Sequence, residues 1–282
     1  MTGRASFVRD LVTFGLVALS VYIGTSKFSK ASSAEQSPGA FLVPPFYGTK
    51  SVTSVYDHEY PTYKCYPNGL GACGLQVPSD YDPPTHTLHY DGVVYDSGPR
   101  HAYDGHNGID YGDMFYDRVR AAANGRVTQA GWEDPRKHGT GCGLYIRIRH
   151  GDNGGYHTLY CHLSVVSVDT GTNITDAFVD SGRVIGISGN TGTGTAAHLH
   201  FETEPPDGMY SVNPYGWIGE AGGDPWANWY YDVDHHGYTS YDLWSHYPSI
   251  SNSDVYTSGD AIPAPPDPDP TAQGVVLVDE SS

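Results

Sequence analysis

Leu144-Tyr145-Ile146-Arg147-Ile148-Arg149-His150-Gly151-Asp152-Asn153-Gly154-Gly155-Tyr156-His157-Thr158-Leu159-Tyr160-Cys161-His162 reads as two strands folded about a turn. From 144 to 149 the residue types alternate, the period of a strand with one face on a core. His150 to Gly155 is made of residues that accept tight turns. Tyr156 to His162 is the return strand, with His162 at its end facing opposite to Cys161 and Leu163. Working outward, Arg118–Ala122 and Arg126–Ala130 read as a second pair of strands about Asn124-Gly125, a hairpin-turn dipeptide. Arg183–Ser188 and His198–Glu202 read as strands on the C-terminal side, and Thr87–Tyr90 and Val93–Tyr95 as short strands on the N-terminal side. Short strands at this spacing imply a mainly β fold, an antiparallel sheet or barrel-like domain. The composition agrees: 35 Gly, 20 Pro and 23 Tyr favour turns and strands. No stretch after the N-terminus carries helical periodicity.

The chain has 282 residues, 38% of them hydrophobic, enough for one cored domain with extensions. The reading divides it into 1–34, 35–84, 85–218, 219–257 and 258–282. Arg4 and Arg9 precede an uncharged run from Leu11 to Gly24, and Ser32-Ser33-Ala34 offers a small-residue cleavage site. This predicts a signal peptide or, if uncleaved, an N-terminal anchor that is the chain's only membrane contact. Either way a secreted or extracytoplasmic, monomeric protein is expected. A formal charge of −17 excludes nucleic acid and anionic membrane surfaces as partners, because both would repel it. Residues 219–257 form an aromatic-rich extension, in which His235, His236 and His246 read as loop residues. Pro263–Pro270 is an extended linker, and Gly274–Val278 is apolar enough to begin a further strand.

Cys65, Cys73, Cys142 and Cys161 contain no Cys-x-x-Cys, which argues for disulfides over a metal site. Cys142 and Cys161 each lie nine residues from the Gly151-Asp152 turn, so a hairpin without a bulge places them opposite each other. Facing away from His162, such a bridge would brace its strand without entering a groove. Cys65 and Cys73 flank Pro67-Asn68-Gly69 and are expected to close that turn.

Three motifs carry candidate chemistry. In His198-Leu199-His200-Phe201-Glu202 the two imidazoles share one strand face, while Leu199 and Phe201 turn to the core. In His106-Asn107-Gly108-Ile109-Asp110 extended backbone puts His106 and Asp110 on one face with only a glycine between them, and Ile109 on the other. His162 is the third. His106, Asp110 and one histidine of the 198/200 pair supply two nitrogens and one oxygen, leaving a fourth metal position for water.

Four segments together resemble the lysostaphin-type zinc endopeptidases: Gly105–Asp110, Thr158–Ser164 (Thr-Leu-Tyr-Cys-His-Leu-Ser), Ile185–Gly192 (Ile-Gly-Ile-Ser-Gly-Asn-Thr-Gly) and His198–Glu202. The resemblance covers roughly residues 85–217. It implies a small antiparallel β domain with a groove over zinc, His106, Asp110 and His200 as zinc ligands, and His162 and His198 as catalytic histidines. It also implies the peptide part of bacterial peptidoglycan as substrate. Trp132–Thr140 and Thr170–Asp180 are longer than the family pattern, and Thr195-Ala196-Ala197 replaces its Thr-Gly-Pro, which bears on substrate preference. Other functions compatible with the residues are a non-catalytic regulator of cell-wall hydrolysis, a zinc-containing adhesion or carbohydrate-binding module using 219–250, and a protease of other secreted proteins.

Overall fold

The computed structural model describes residues 37–58, 86–96, 105–168, 177–194, 196–208, 211–219, 240–252 and 255–256. Twelve strands lie among them: β1 (Val52–Ser54), β2 (His86–Leu88), β3 (Val94–Asp96), β4 (Ile109–Tyr111), β5 (Arg118–Arg120), β6 (Gly125–Trp132), β7 (Leu144–His150), β8 (Tyr156–Cys161), β9 (Leu163–Val166), β10 (Phe178–Val179), β11 (Val184–Ser188) and β12 (Leu199–Glu204). The described residues contain no helix, and the fold is mainly β as expected. A seven-stranded sheet runs β1-β4-β12-β8-β7-β6-β10, a three-stranded sheet β5-β11-β9, and β2 pairs with β3. Every ladder is antiparallel.

Register decides which residues reach the site, because residues directly opposite in an antiparallel pair share a face. Ile146 opposes Tyr160, Tyr160 opposes Phe201, and Phe201 opposes Ile109. All four are fully buried, and with Leu199, Ile148 and Val127 they form the apolar side of the large sheet. Removing each such side chain from water contributes about 1.5–3 kcal/mol. The opposite face carries the run Ser54, Asp110, His200, Cys161 and the run Glu202, Leu159, Arg147. Residues outside 85–218 share the same core. Leu42 and Phe46 from the N-terminal side meet Leu243 and Trp244 from the C-terminal side, all 2% exposed or less, and Leu42 bridges Trp244.

Three local expectations are corrected. Residues 118–122 and 126–130 do not form a hairpin: β5 pairs with β11, while β6 pairs with β7 and β10. The reason is the run Ala121-Ala122-Ala123, buried at every position rather than alternately, which carries the chain from one sheet to the other. The β7–β8 hairpin pairs His150 with Tyr156, so its loop is Gly151–Gly155 and the register lies three residues from the one that opposes Cys142 to Cys161. The disulfide is nonetheless present, with Cα atoms 4.7 Å apart. Gly141 and Gly143, at φ 57° and 64°, turn the chain back towards β8 before β7 begins.

Finally, β8 stops at Cys161. His162 has φ 62°, a left-handed conformation, and the chain leaves the large sheet there to enter β9. Strand alternation therefore does not separate His162 from Cys161. Cys161, opposite His200, lies on the site face, and Cys142 lines the cleft. Cys65, Cys73, residues 1–36, 169–176, 220–239 and 257–282, and with them His235 and His236, fall outside the described residues.

Candidate active site

His106 enters the site from the segment before β4. It is buried, and its Nδ1–H donates to the Val55 carbonyl at 2.7 Å, which leaves a lone pair on Nε2. Asp57 holds this segment by accepting the Gly105 N–H at 2.7 Å while its own N–H donates to the His106 carbonyl. Ile109 anchors β4 in the core, and Asp110 points to the other face opposite His200.

The three donor atoms converge. His106 Nε2 lies 3.1 Å from Asp110 Oδ1 and 3.1 Å from His200 Nδ1, and His200 Nδ1 lies 2.9 Å from Asp110 Oδ1. Tetrahedral zinc with bonds of 2.0–2.1 Å needs donors about 3.3 Å apart, so these residues fit the ion. Gly108 makes the approach possible: a Cβ there would sit 2.5 Å from His200 Cε1. Only His106, Asp110 and His200 form such a metal-capable group among the described residues.

The electrostatics point the same way. Burial opposes a charge on His200, yet hydrogen bonding to Asp110 and Glu202 outweighs it and raises its pKa to about 9. Burial would raise Asp110, but His106 and His200 hold its carboxyl well below the usual range. A buried group that draws a proton onto an imidazole lacks one positive charge, and a divalent cation supplies it.

His162 and His198 stand beside this group. Their ring centroids are 4.5 Å apart, the His162 ring is 5.9 Å from that of His200, and His198 Nε2 is 3.8 Å from Asp110 Oδ1. His162 Nδ1–H donates to the Thr191 carbonyl at 2.7 Å, and His198 Nδ1–H donates to the Ala196 carbonyl at 2.8 Å. Each ring thus keeps a lone pair on Nε2. Burial, with the neighbouring His200 and His198, pushes the His162 pKa down to about 3, so this ring is neutral.

All five sequence-predicted residues line one cleft of about 970 Å³. The cleft also takes in residues the sequence reading did not single out. Glu202 is 2% exposed, with Oε2 3.8 Å from His200 Nε2. Arg147 binds Glu204 through Nε at 2.8 Å and Nη2 at 2.6 Å. The strand period that pairs His198 with His200 continues to 202 and 204, so the signal for both glutamates was present. The long loop 133–143 forms one wall and is stitched to the glycine loop after β11: the Thr193 N–H donates to Gly141 O at 2.8 Å, and the Gly141 N–H to Thr193 Oγ1 at 3.0 Å.

Comparison with known proteins places this geometry. Residues 104–214 match the model of Peptidase family M23. The DD-carboxypeptidase/endopeptidase Mpg of Neisseria meningitidis serogroup B is 41% identical over 102 residues, 36% of this chain and 20% of that protein. Peptidoglycan DD-endopeptidase ShyA of Vibrio cholerae is 37% identical over 97 residues, 34% of this chain and 20% of that protein. Lysostaphin of Staphylococcus simulans is 35% identical over 97 residues, 34% of this chain and 17% of that protein. The chain thus spans about a fifth of the length of these relatives. Among solved structures, the catalytic domain of lysostaphin from Staphylococcus simulans is 29% identical, covering 38% of this chain and 74% of that one, with a TM-score of 0.31. The segment that matches Peptidase family M23, residues 104–214, holds His106, Asp110, His162, His198 and His200 and is similar to lysostaphin.

Proposed function

We propose that the chain is a zinc-dependent endopeptidase that cuts peptide bonds in bacterial cell-wall peptidoglycan, acting outside the cytoplasm as a monomer. The observation that carries the reading is the convergence of His106, Asp110 and His200, with two further histidines holding free Nε2 lone pairs beside them. The names of the relatives, a DD-carboxypeptidase/endopeptidase and a peptidoglycan DD-endopeptidase, support the substrate class.

His106 Nε2, Asp110 Oδ1 and His200 Nδ1 would hold the ion. Bound there, zinc supplies Lewis-acid polarisation of the scissile carbonyl and a water whose pKa is near neutral. The rest is done by the chain. Val55 fixes the tautomer of His106, and the Glu202 carboxylate faces the far nitrogen of His200, so both lone pairs aim inward. His162 and His198 accept the proton of the attacking water at Nε2 and return one to the leaving amine. Once protonated, either Nε2–H donates to the oxyanion that develops on the substrate carbonyl.

The test is incubation of the purified protein with purified cell walls, with metal content measured alongside. Expected are about one zinc per chain and the release of new amino groups, both lost with a chelator. A zinc-loaded protein that releases no amino groups from walls would overturn the hydrolase reading and leave a non-catalytic regulator.

A further inference from the structure

We infer that the Cys142–Cys161 disulfide is a positioning device for His162, separate from the scaffold that holds the metal group. This rests on the reading of His162 as a residue of the reaction.

Cys161 is fully buried, lies opposite His200, and immediately precedes His162. Its partner Cys142 sits in the loop wall, where its carbonyl accepts the His162 N–H at 2.8 Å. The residue so clamped has φ 62°, a conformation that a side chain disfavours and that persists only where the surroundings impose it.

The ring is tied to the same segment by a second route. His162 Nδ1–H ends on the Thr191 carbonyl, and the Thr191 hydroxyl accepts the Leu144 N–H at 3.0 Å. Gly192 beside it packs backbone to backbone on the loop: a Cβ there would lie 2.3 Å from Gly141 O, and a Cβ on Gly143 would lie 2.3 Å from Gly192 N. Backbone and ring of His162 therefore both depend on residues 141–144. Residues 135–141 of that loop are exposed and form no strand, and the bridge is the covalent tie between 142 and β8. By contrast, His106 and Asp110 are set by Val55, Gly108 and the β4–β12 ladder, and His200, although it lies opposite Cys161, is held from its other side by β4 and by Asp110.

Breaking the bridge should then displace His162 and spare the metal group. The test is the double variant C142A/C161A, which leaves no free thiol beside the site. Three quantities are read: zinc per chain, kcat against KM on a soluble cell-wall peptide, and the Nδ1–H resonance of His162 in histidine-labelled protein. Expected are unchanged zinc, KM within about twofold, kcat down about tenfold or more, and loss of the ring N–H signal as its bond to Thr191 opens. Should the variant fail to fold, the folded wild type treated with a non-chelating phosphine reductant is read the same way. A wild-type kcat with the ring signal retained, or zinc and kcat lost together in a folded protein, would overturn the inference. The resonance and the zinc content report even if the wild type proves to hydrolyse nothing, so failure of the hydrolase reading is distinguishable from failure of this one.

Discussion

Gly108→Ala should disable the site through one methyl group. The added Cβ would lie 2.5 Å from His200 Cε1, 2.6 Å from His200 Nε2 and 2.8 Å from the Phe201 carbonyl. Ordinary contact begins at 3.4 Å, so the shortfall is about 0.9 Å at the ring and about 0.6 Å at the carbonyl. The carbonyl belongs to β12 and cannot rotate aside, so either the imidazole swings or β4 and β12 part. Metal sites tolerate about 0.2 Å in ligand position. Zinc affinity should therefore fall at least about 10–100-fold, as when a supporting partner of a ligand is lost, and turnover by about 10²-fold. Gly108 is not at positive φ, so alanine would otherwise gain about 0.4–1 kcal/mol by restricting the unfolded chain. Overpacking costs about 1–3 kcal/mol and should win by about 1 kcal/mol. Gly139→Ala, where a Cβ meets nothing within 4 Å, is the control. Zinc competition against a chromophoric chelator and melting of the metal-free proteins give both numbers. A Gly108→Ala protein with wild-type zinc affinity and rate would refute the packing argument.

Chelation should abolish activity and added zinc should restore it; full activity in metal-free protein contradicts the site. His162→Ala and His198→Ala should keep zinc and lose about 10²-fold or more in turnover, whereas His200→Ala should lose zinc, as elemental analysis beside rate assays will show. Eliminating the Cys142–Cys161 bridge, which spans 19 residues, should cost about 3 kcal/mol in urea unfolding. Desolvation lowers the pKa of His58 to about 3 and of His150 and His157 to about 4, so these rings are neutral in the fold but protonate near 6.5 when unfolded. Their contribution is whole above pH 6.5 and is lost as pH falls towards 4, at up to about 4 kcal/mol per pH unit; equal stability at pH 7 and pH 5 would contradict it.

Much of the site was legible because it obeys the strand period. His200 and Asp110 each sit between core residues, Leu199 and Phe201 in one case, Ile109 and Tyr111 in the other, all fully buried. The period that fixes the apolar face also fixes the donors on the opposite one. Gly108 was legible as the gap that lets the donors meet. The strands at 118–122 and 126–130 were misread as a pair because Asn124-Gly125 signals a turn whatever the flanking strands do afterwards. The chain changes sheets there, with Ala121, Ala122 and Ala123 all buried, and three alanines carry no alternation to betray it. His162 illustrates a different limit. A left-handed histidine follows from contacts with Cys142 and Thr191, 20 and 29 residues away, and no local pattern encodes it.

The disulfide shows how a strand can be legible while its inner face is not. In β8 the residues Tyr156, Thr158 and Tyr160 alternate with His157, Leu159 and Cys161, and either set could face a core. Taking Leu159 and Cys161 as the inner set opposes Cys142 to Cys161 across the hairpin and keeps the bridge out of the groove. The structure selects the other set. Tyr160 lies between Ile146 and Phe201 in the sheet. Its hydroxyl accepts the Ala122 N–H at 2.7 Å and lies 2.9 Å from Thr158 Oγ1, which lies 2.8 Å from His150 Nε2. With those polar atoms satisfied, burying Tyr160 and Thr158 carries no desolvation penalty to tip the balance back. Leu159 and Cys161 are left on the cleft face with Arg147 and His200. The pairing of Cys142 with Cys161 thus arises from a loop that curls back over the site, and the same choice of face that displaced the expected register brings the disulfide beside His162.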